Sequence, residues 1–314
     1  MMSSPSIFIA ALNAERFRSI ISSELGASAD INVASRKELV QESYQGEEVV
    51  LGRPDFLAQL MDSAPPVRWV QSTWAGVTPL IQHAYKKYVL TGVKGIFGQQ
   101  MSEYVLTHLL AHEGRLRQRW QNQLSGLWDN KVSGSLRDKT LGIMGTGSIG
   151  AAVAESCSAL GVRCTGLNSS GNSHPGFQQV FAPRELTEFL RDSDYVLGLL
   201  PDLPATTGLL NNEAFDSMKT DALLINVGRG NLIVEDDLVV ALKTQKIAGA
   251  VLDVFQQEPL PNNSVLWSVP NLTITGHVAA VSRPDDIAGL FLQNYERYCS
   301  GQALLHTIDF DKGY

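Results

Sequence analysis

The sequence predicts an α/β protein of two domains, each built on a parallel sheet, and three observations carry that expectation. Short apolar runs alternate with helix-length segments through the first hundred residues, and the rhythm restarts near residue 140. A glycine-rich loop follows the first apolar run of the restart. With 314 residues, 44% of them hydrophobic, the chain is long enough to bury two cores.

In chain order, the first strand-like runs are Ile7 to Ala10, Val49 to Leu51, Arg68 to Gln71 and Tyr88 to Leu90, interleaved with helical stretches such as Glu15 to Leu25. From Gln99 to about Arg119, Met101, Val105 and Leu109, with Leu106 and Leu110, recur at helical spacing, which predicts one long helix. A polar loop from Gln118 to Gly134, carrying Trp120 and Trp128, is expected next. Six further runs follow: Leu141 to Met144, Val162 to Leu167, Tyr195 to Leu200, Ala222 to Val227, Ala248 to Val254 and Leu272 to Thr275. Six strands with crossovers predict a doubly wound nucleotide-binding domain. Past His277, Ser282 is a candidate cap, Pro284 suits a helix start, and Ile287, Leu290, Phe291, Tyr295 and Tyr298 share a face, so a final helix could return to the first domain.

Composition excludes several classes. The 32 acidic and 25 basic residues are well mixed, with a net charge of -7 and no like-charge block, so nucleic acid is not an expected partner. No apolar run approaches the ~18 residues of a membrane span, and Ile7-Phe8-Ile9 after the start is too short for a secretory core; a cytoplasmic protein is expected. Cys157, Cys164 and Cys299 lack metal or CxxC spacing and read as small hydrophobes, so neither a disulfide framework nor a metal site is expected.

Gly145-Thr146-Gly147-Ser148-Ile149-Gly150 directly follows the run Leu141 to Met144 and opens a helix whose apolar face carries Ile149, Val153 and Cys157. Gly145 permits a tight turn, Gly147 lets backbone approach a pyrophosphate, and Gly150 lets the helix pack on the sheet. A dinucleotide site is the expectation. At the end of the second strand, where an NAD enzyme offers a carboxylate to the ribose, the chain reads Asn168-Ser169-Ser170. A 2′-phosphate is then not repelled, and the hydroxyls and amides of Ser169 and Ser170 could donate to it, which favours NADP over NAD.

Three ionisable residues fall near the ends of successive apolar runs: Arg229, Glu258 and His277. Strand ends on this edge are where doubly wound sheets bind ligands. Reduction of a 2-oxo acid needs a cation for the carboxylate, a proton donor for the carbonyl oxygen, and a group that keeps the donor protonated. Arg229 offers a planar fork, flanked by Gly228 and Gly230 that are expected to leave room for substrate and cofactor. His277, paired to Glu258, would favour its imidazolium form and serve as donor in reduction and acceptor in oxidation. Taken singly, each has a plainer reading: a surface ion-pair arginine, a solvated glutamate before Pro259, a strand-end histidine capping a backbone group.

Together these residues resemble the D-isomer-specific 2-hydroxyacid dehydrogenase family, in particular its glyoxylate/hydroxypyruvate reductases. The matching stretches run from Thr140 to Gly150, Leu223 to Gly230, Leu252 to Phe255 with Glu258-Pro259-Leu260, and Pro270-Asn271-Leu272 through Gly276-His277. The resemblance implies a flavodoxin-like substrate domain from residues 1–98 and 280–314, with a Rossmann-type NAD(P)-binding domain, 99–279, inserted between them. It implies that Trp74-Ala75-Gly76 bind the substrate carboxylate through backbone amides, opposite Val93-Lys94-Gly95. It also implies cofactor contacts from Asp253 to the nicotinamide carboxamide, from Leu200, Pro201, Val227 and Gly228 as backbone walls, and from Ala279. Tyr104 stands where many members carry histidine, and Asn168 replaces the common aspartate. Dimerisation through the cofactor domain, with the helix from Gln99 and the loop bearing Trp120 and Trp128, is implied too. The alternative of another class is a corepressor-like protein that keeps this fold to sense nicotinamide nucleotides.

Overall fold

The computed structural model describes residues 5–26, 29–311 and 313. The chain divides into two compact units, outer and inner by their order in the sequence: the outer, Met1–Ile96 with Ser282–Tyr314, and the inner, Phe97–Val281.

The outer unit carries five parallel strands, β1 (Ile7–Ala10), β2 (Ile31–Ala34), β3 (Val49–Gly52), β4 (Trp69–Ser72) and β5 (Val89–Thr91), in the order β2-β1-β3-β4-β5, which is flavodoxin-like. β1, β3 and β4 are buried throughout; β1 and β3 accordingly read as unbroken apolar runs, whereas β4 also buries Gln71 and Ser72. β2 is not among the strands expected from the sequence. It is a half-buried edge strand whose apolar run is interrupted by Asn32, and Asn32 donates to the buried Glu47 carboxylate. Around the sheet lie α1 (Ala14–Leu25), α2 (Val40–Ser43), α3 (Pro54–Met61) and α4 (Thr78–Ile81). The C-terminal helix Pro284–Cys299 belongs to this unit: Phe291 stacks on Trp69 with ring centroids 5.1 Å apart, and the tail pairs with β5 through Ile308 N–H to the Leu90 carbonyl. Its N-cap is Arg283 rather than Ser282, because Pro284 occupies the first helical position.

The inner unit opens with α5 (Gly98–Glu113) and α6 (Leu116–Leu124), where the periodicity predicts one helix. Gly114 ends α5, and Arg115 adopts the left-handed region at φ 51, so the axis is broken and α6 extends into the stretch read as polar loop. Met101, Val105 and Leu109 are buried, whereas Leu110 faces outward at 51% exposure. The seven strands are β6 (Thr140–Met144), β7 (Arg163–Leu167), β8 (Gln179–Phe181), β9 (Tyr195–Gly198), β10 (Leu223–Asn226), β11 (Gly249–Leu252) and β12 (Leu272–Ile274). All are parallel, in the order β12-β11-β10-β9-β6-β7-β8, the doubly wound order with one strand added. β8 is the strand beyond the six expected, three residues long and at an edge, too short to announce itself by pattern. The order reverses between β6 and β9, so α7 (Ser148–Ser158) starts beside the switch point. α5 packs closely on α7, since a Cβ at Gly98 would come within 2.7 Å of Ala152 Cβ. The remaining helices are α8 (Leu186–Asp192), α9 (Asn212–Ser217) and α10 (Glu235–Lys243).

Burial assigns the stability of these faces. Phe291 is fully buried, and truncation to alanine removes its stack on Trp69 and leaves a cavity. Phe291→Ala is therefore expected to cost about 3–5 kcal/mol, while Leu110→Ala, on the exposed face of α5, costs under about 0.5 kcal/mol; urea denaturation of both variants measures the contrast.

Candidate active site

The glycine loop is a strand-to-helix turn held by steric necessity. Gly145 has φ +119 and leaves β6 beside Leu199, the residue after β9. A Cβ at Gly150 would lie 2.1 Å from the Gly145 carbonyl oxygen, so only glycine lets α7 begin so close to the strand. At Gly147, the N-cap of α7, a Cβ would meet nothing within 4 Å: the space beside the first-turn amides is open. Those amides, of Ser148, Ile149 and Gly150, have no partner within the helix and carry the positive end of its dipole. An open cradle of this kind fits a pyrophosphate.

The loop after β7 is organised by Asn168. Its Oδ1 accepts from Ser170 N–H at 3.1 Å, Gly171 N–H at 2.7 Å and Ser170 Oγ at 3.2 Å, while Nδ2 donates to Thr146 Oγ1 at 3.0 Å and the Asn172 carbonyl at 3.1 Å. Asn168 therefore ties this loop to the glycine turn. The structure revises the expectation for Ser170: its amide and hydroxyl proton are spent on Asn168, and its oxygen accepts Asn172 N–H, whereas Ser169 is exposed and makes no hydrogen bond among the described residues.

Gly228 and Gly230 do not leave room for ligands as expected; protein backbone fills the space at both. A Cβ at 228 would lie 2.9 Å from the Leu200 carbonyl oxygen, and one at 230 would lie 1.9 Å from the Phe255 carbonyl carbon. Leu200 and Val227-Gly228 thus sit against each other, with Pro201 exposed beyond. The turn is pinned by Asn226, fully buried at the end of β10, which donates from Nδ2 to the Arg229 carbonyl at 3.0 Å and accepts Gly228 N–H at 3.3 Å. Arg229 is half-buried, and one of its donors, Nη1, meets the Gly228 carbonyl at 2.6 Å. Burial pushes its guanidinium below the usual value, opposed by the carboxylates of Glu258 and Asp202, which places Glu258 within electrostatic reach.

Glu258 is aimed from both oxygens: Oε1 accepts Phe255 N–H at 3.0 Å and Oε2 lies 2.7 Å from His277 Nδ1. A carboxylate can only accept, so Nδ1 is the donor in that contact and Nε2 is left as the free ring nitrogen. His277 itself holds φ 56, a conformation uncommon for a residue with a side chain. Its amide donates to the Asp253 carbonyl at 2.8 Å, and the Asp253 carboxylate accepts the next two amides, Val278 to Oδ1 and Ala279 to Oδ2, each at 2.9 Å. Arg229, Asp253, Glu258 and His277 thus gather at the C-terminal ends of β10, β11 and β12.

Trp74, Ala75 and Gly76 lie in the outer unit, in the loop after β4. Ser72 Oγ donates to the Trp74 carbonyl at 2.7 Å and accepts its amide at 3.0 Å, and the Arg53 guanidinium covers the indole at 4.5 Å. Ala75 and Gly76 amides take part in no hydrogen bond among the described residues, and the buried Thr73 hydroxyl has no partner there either. Lys94 and Gly95 follow β5 in the same unit. Asn226, Thr275 and Thr146 escape sequence reasoning; each is polar at or just past the end of an apolar run, a signal visible but also shared with ordinary strand ends. Among the described residues no cluster of three or more His, Cys, Asp or Glu could hold a metal, and no helix is long and apolar enough to cross a membrane.

Comparison with known proteins defines the class. Residues 106–279 match the D-isomer specific 2-hydroxyacid dehydrogenase, NAD binding domain. Glyoxylate/hydroxypyruvate reductase A of Escherichia fergusonii is 35% identical over 217 residues, 69% of this chain and 70% of that protein. A D-isomer specific 2-hydroxyacid dehydrogenase family protein from Aeromonas salmonicida is 37% identical, with TM-score 0.90 over 98% of this chain and 100% of its own. An NADPH-dependent glyoxylate/hydroxypyruvate reductase from Sinorhizobium meliloti, solved with NADP and sulfate, is 26% identical, with TM-score 0.88 over 98% and 100%. The chain belongs to the D-isomer specific 2-hydroxyacid dehydrogenase family. It is an NAD(P)-dependent oxidoreductase, and the nucleotide-sensing alternative finds no support in these relatives.

The Asn168 network makes a prediction. An aspartate there keeps the acceptors but loses both Nδ2 bonds and turns an oxygen toward the Asn172 carbonyl. Asn168→Asp is expected to lower stability by about 1–2 kcal/mol, read as a drop in thermal midpoint; an unchanged midpoint would show that the loop does not rest on Nδ2.

Proposed function

We propose that this dehydrogenase reduces glyoxylate, hydroxypyruvate or a similar short 2-oxo acid to the 2-hydroxy acid, with NADPH preferred over NADH, using Arg229, Glu258 and His277. The observation that carries the reading is the 2.7 Å contact between His277 Nδ1 and Glu258 on the sheet edge that also bears Arg229.

Arg229 keeps donors beyond the one spent on Gly228, and its fork suits the substrate carboxylate and the adjoining carbonyl oxygen. NADPH, when bound, supplies the hydride that reduces the carbonyl carbon. His277 gives the Nε2 proton to the carbonyl oxygen as charge develops there, and Glu258, bonded to Nδ1, stabilises the protonated ring before that transfer. In oxidation the same nitrogen takes the hydroxyl proton. Glu258 is held in turn by Phe255 N–H, so its carboxylate does not rotate away from the imidazole.

The residues proposed to hold the cofactor are the cradle Gly145, Gly147, Ser148, Ile149 and Gly150, the loop residues Asn168 and Ser169, the walls Leu200, Pro201, Val227 and Gly228, and Asp253 with Ala279. Open space at Gly147 supports the pyrophosphate position. The absence of a carboxylate at 168, with free donors on Ser169, supports NADPH, as does the NADPH dependence of the Sinorhizobium meliloti relative. Substrate contacts are proposed for Arg229 and for the loop Trp74, Ala75 and Gly76, in which the amides of Ala75 and Gly76 are free and that of Trp74 is bonded to Ser72 Oγ. A substrate role for the outer unit and a cofactor role for the inner one complete this reading. Free thiols at Cys157, Cys164 and Cys299 agree with a cytoplasmic setting. A homodimer is also proposed: Leu116, Trp120, Leu124, Trp128 and Val132 expose 56–92% of their surface along α6 and the loop after it.

Three experiments test the reading. In initial-rate assays with short 2-oxo acids, kcat/KM is expected to be higher with NADPH than NADH; the reverse order rejects the cofactor preference. Arg229→Ala should lower kcat and raise KM together, whereas His277→Ala lowers kcat by about 10²–10⁴ with little change in KM; wild-type rates in either variant remove that residue's role. Light scattering on Trp120→Ala/Trp128→Ala should give the monomer mass where the parent gives twice it.

A further inference from the structure

Asp253 is almost fully buried and receives an unusual share of one turn. Besides the Val278 and Ala279 amides, its Oδ1 accepts the Thr275 hydroxyl at 2.5 Å, while its carbonyl takes His277 N–H. Four donors from residues 275–279 end on this one residue, and among them sits His277 at φ 56.

The chain of donors extends further. Thr275 has one hydroxyl proton, and the carboxylate claims it, so Thr275 Oγ1 can only accept from its other neighbour. That neighbour is the phenol of Tyr104 on α5, 2.6 Å away, which must therefore be the donor. Burial, with the Asp253 charge adding to it, pushes the Tyr104 phenol up to about 12, so the proton is in place at neutral pH.

We propose that Tyr104 and Thr275 form a hydroxyl chain that fixes the Asp253 carboxylate and, through it, the backbone that aims His277 for proton transfer. The proposal rests on the reading of His277 as proton donor. Both hydroxyls are positioning residues, since each acts through Asp253. The physical basis is the cost of leaving a buried carboxylate short of a donor: it rotates toward other partners, releases the amides of 278 and 279, and lets a backbone held at positive φ relax. A shift of about 1 Å in a proton donor is enough to slow turnover by up to about 100-fold.

The test compares Thr275→Val, which keeps the branched shape and loses the hydroxyl, with Thr275→Ser, Tyr104→Phe and the double variant Tyr104→Phe/Thr275→Val. Expected is a fall in kcat of about tenfold or more for Thr275→Val, with KM for the 2-oxo acid within about twofold and most of the rate restored in Thr275→Ser. Tyr104→Phe falls less, and the double variant is no slower than Thr275→Val alone, because both act on one carboxylate. Hydrogen exchange of the peptide spanning 277–279 reads the clamp without turnover: it speeds up in Thr275→Val and not in Thr275→Ser. Wild-type kcat in Thr275→Val, independent losses that multiply in the double variant, or unchanged exchange would each overturn the proposal. If the parent enzyme turns over no 2-oxo acid, the proposed reaction fails while the exchange measurement still judges the hydroxyl chain.

Discussion

A carboxylate taken out of water must have its lone pairs met, and at Asp253 that requirement organises the edge of the inner sheet that carries Arg229, Glu258 and His277. β10, β11 and β12 run parallel in register, Asn226 opposite Leu252 and Leu252 opposite Ile274, so the residues just past their ends arrive side by side. Asp253 N–H bonds to the Asn226 carbonyl, and Thr275 N–H bonds to the Leu252 carbonyl. Three strands that end together therefore deliver a buried asparagine, a buried aspartate and a threonine to one place. The donors that satisfy the aspartate are those of the turn that carries His277, so the need to neutralise a buried charge also fixes the imidazole.

The same logic repeats around Arg229 with an amide in place of a carboxylate. Asn226 bonds the turn on both sides, and the two glycines flanking Arg229 allow its backbone to press against Leu199–Leu200 and against Phe255. Phe255 N–H in turn holds Glu258. The arginine turn and the glutamate are thus coupled through one short backbone segment, and the charge on Glu258 acts on both Arg229 and His277. Close packing at Gly228 and Gly230 sets the arginine turn against the backbone segment that holds the glutamate.

Much of this was legible before any coordinates. Buried strands such as β1, β3 and β11 appear as unbroken apolar runs, because a parallel sheet covered on both faces leaves no polar alternation. Edge strands β2 and β8 did not, since they are short or interrupted and only partly buried. The glycine turn was readable because strand, glycines and helix are consecutive in the chain. The break between α5 and α6 was not, because a single left-handed residue at Arg115 leaves the apolar spacing nearly intact.

The sequence by itself determined most element types, the glycine turn at Gly145 to Gly150, and the identity of Arg229, Glu258 and His277 as the chemically able residues. Those features are local, written in periodicity, in the conformational freedom of glycine and in side-chain chemistry. Only the tertiary structure decided who bonds to whom: Tyr104 to Thr275 across 171 residues, Asp253 to the amides of 278 and 279, and Asn168 to Thr146. A hydroxyl or amide accepts many partners, and which one it meets depends on strand order and register, a global property that no short stretch of chain contains.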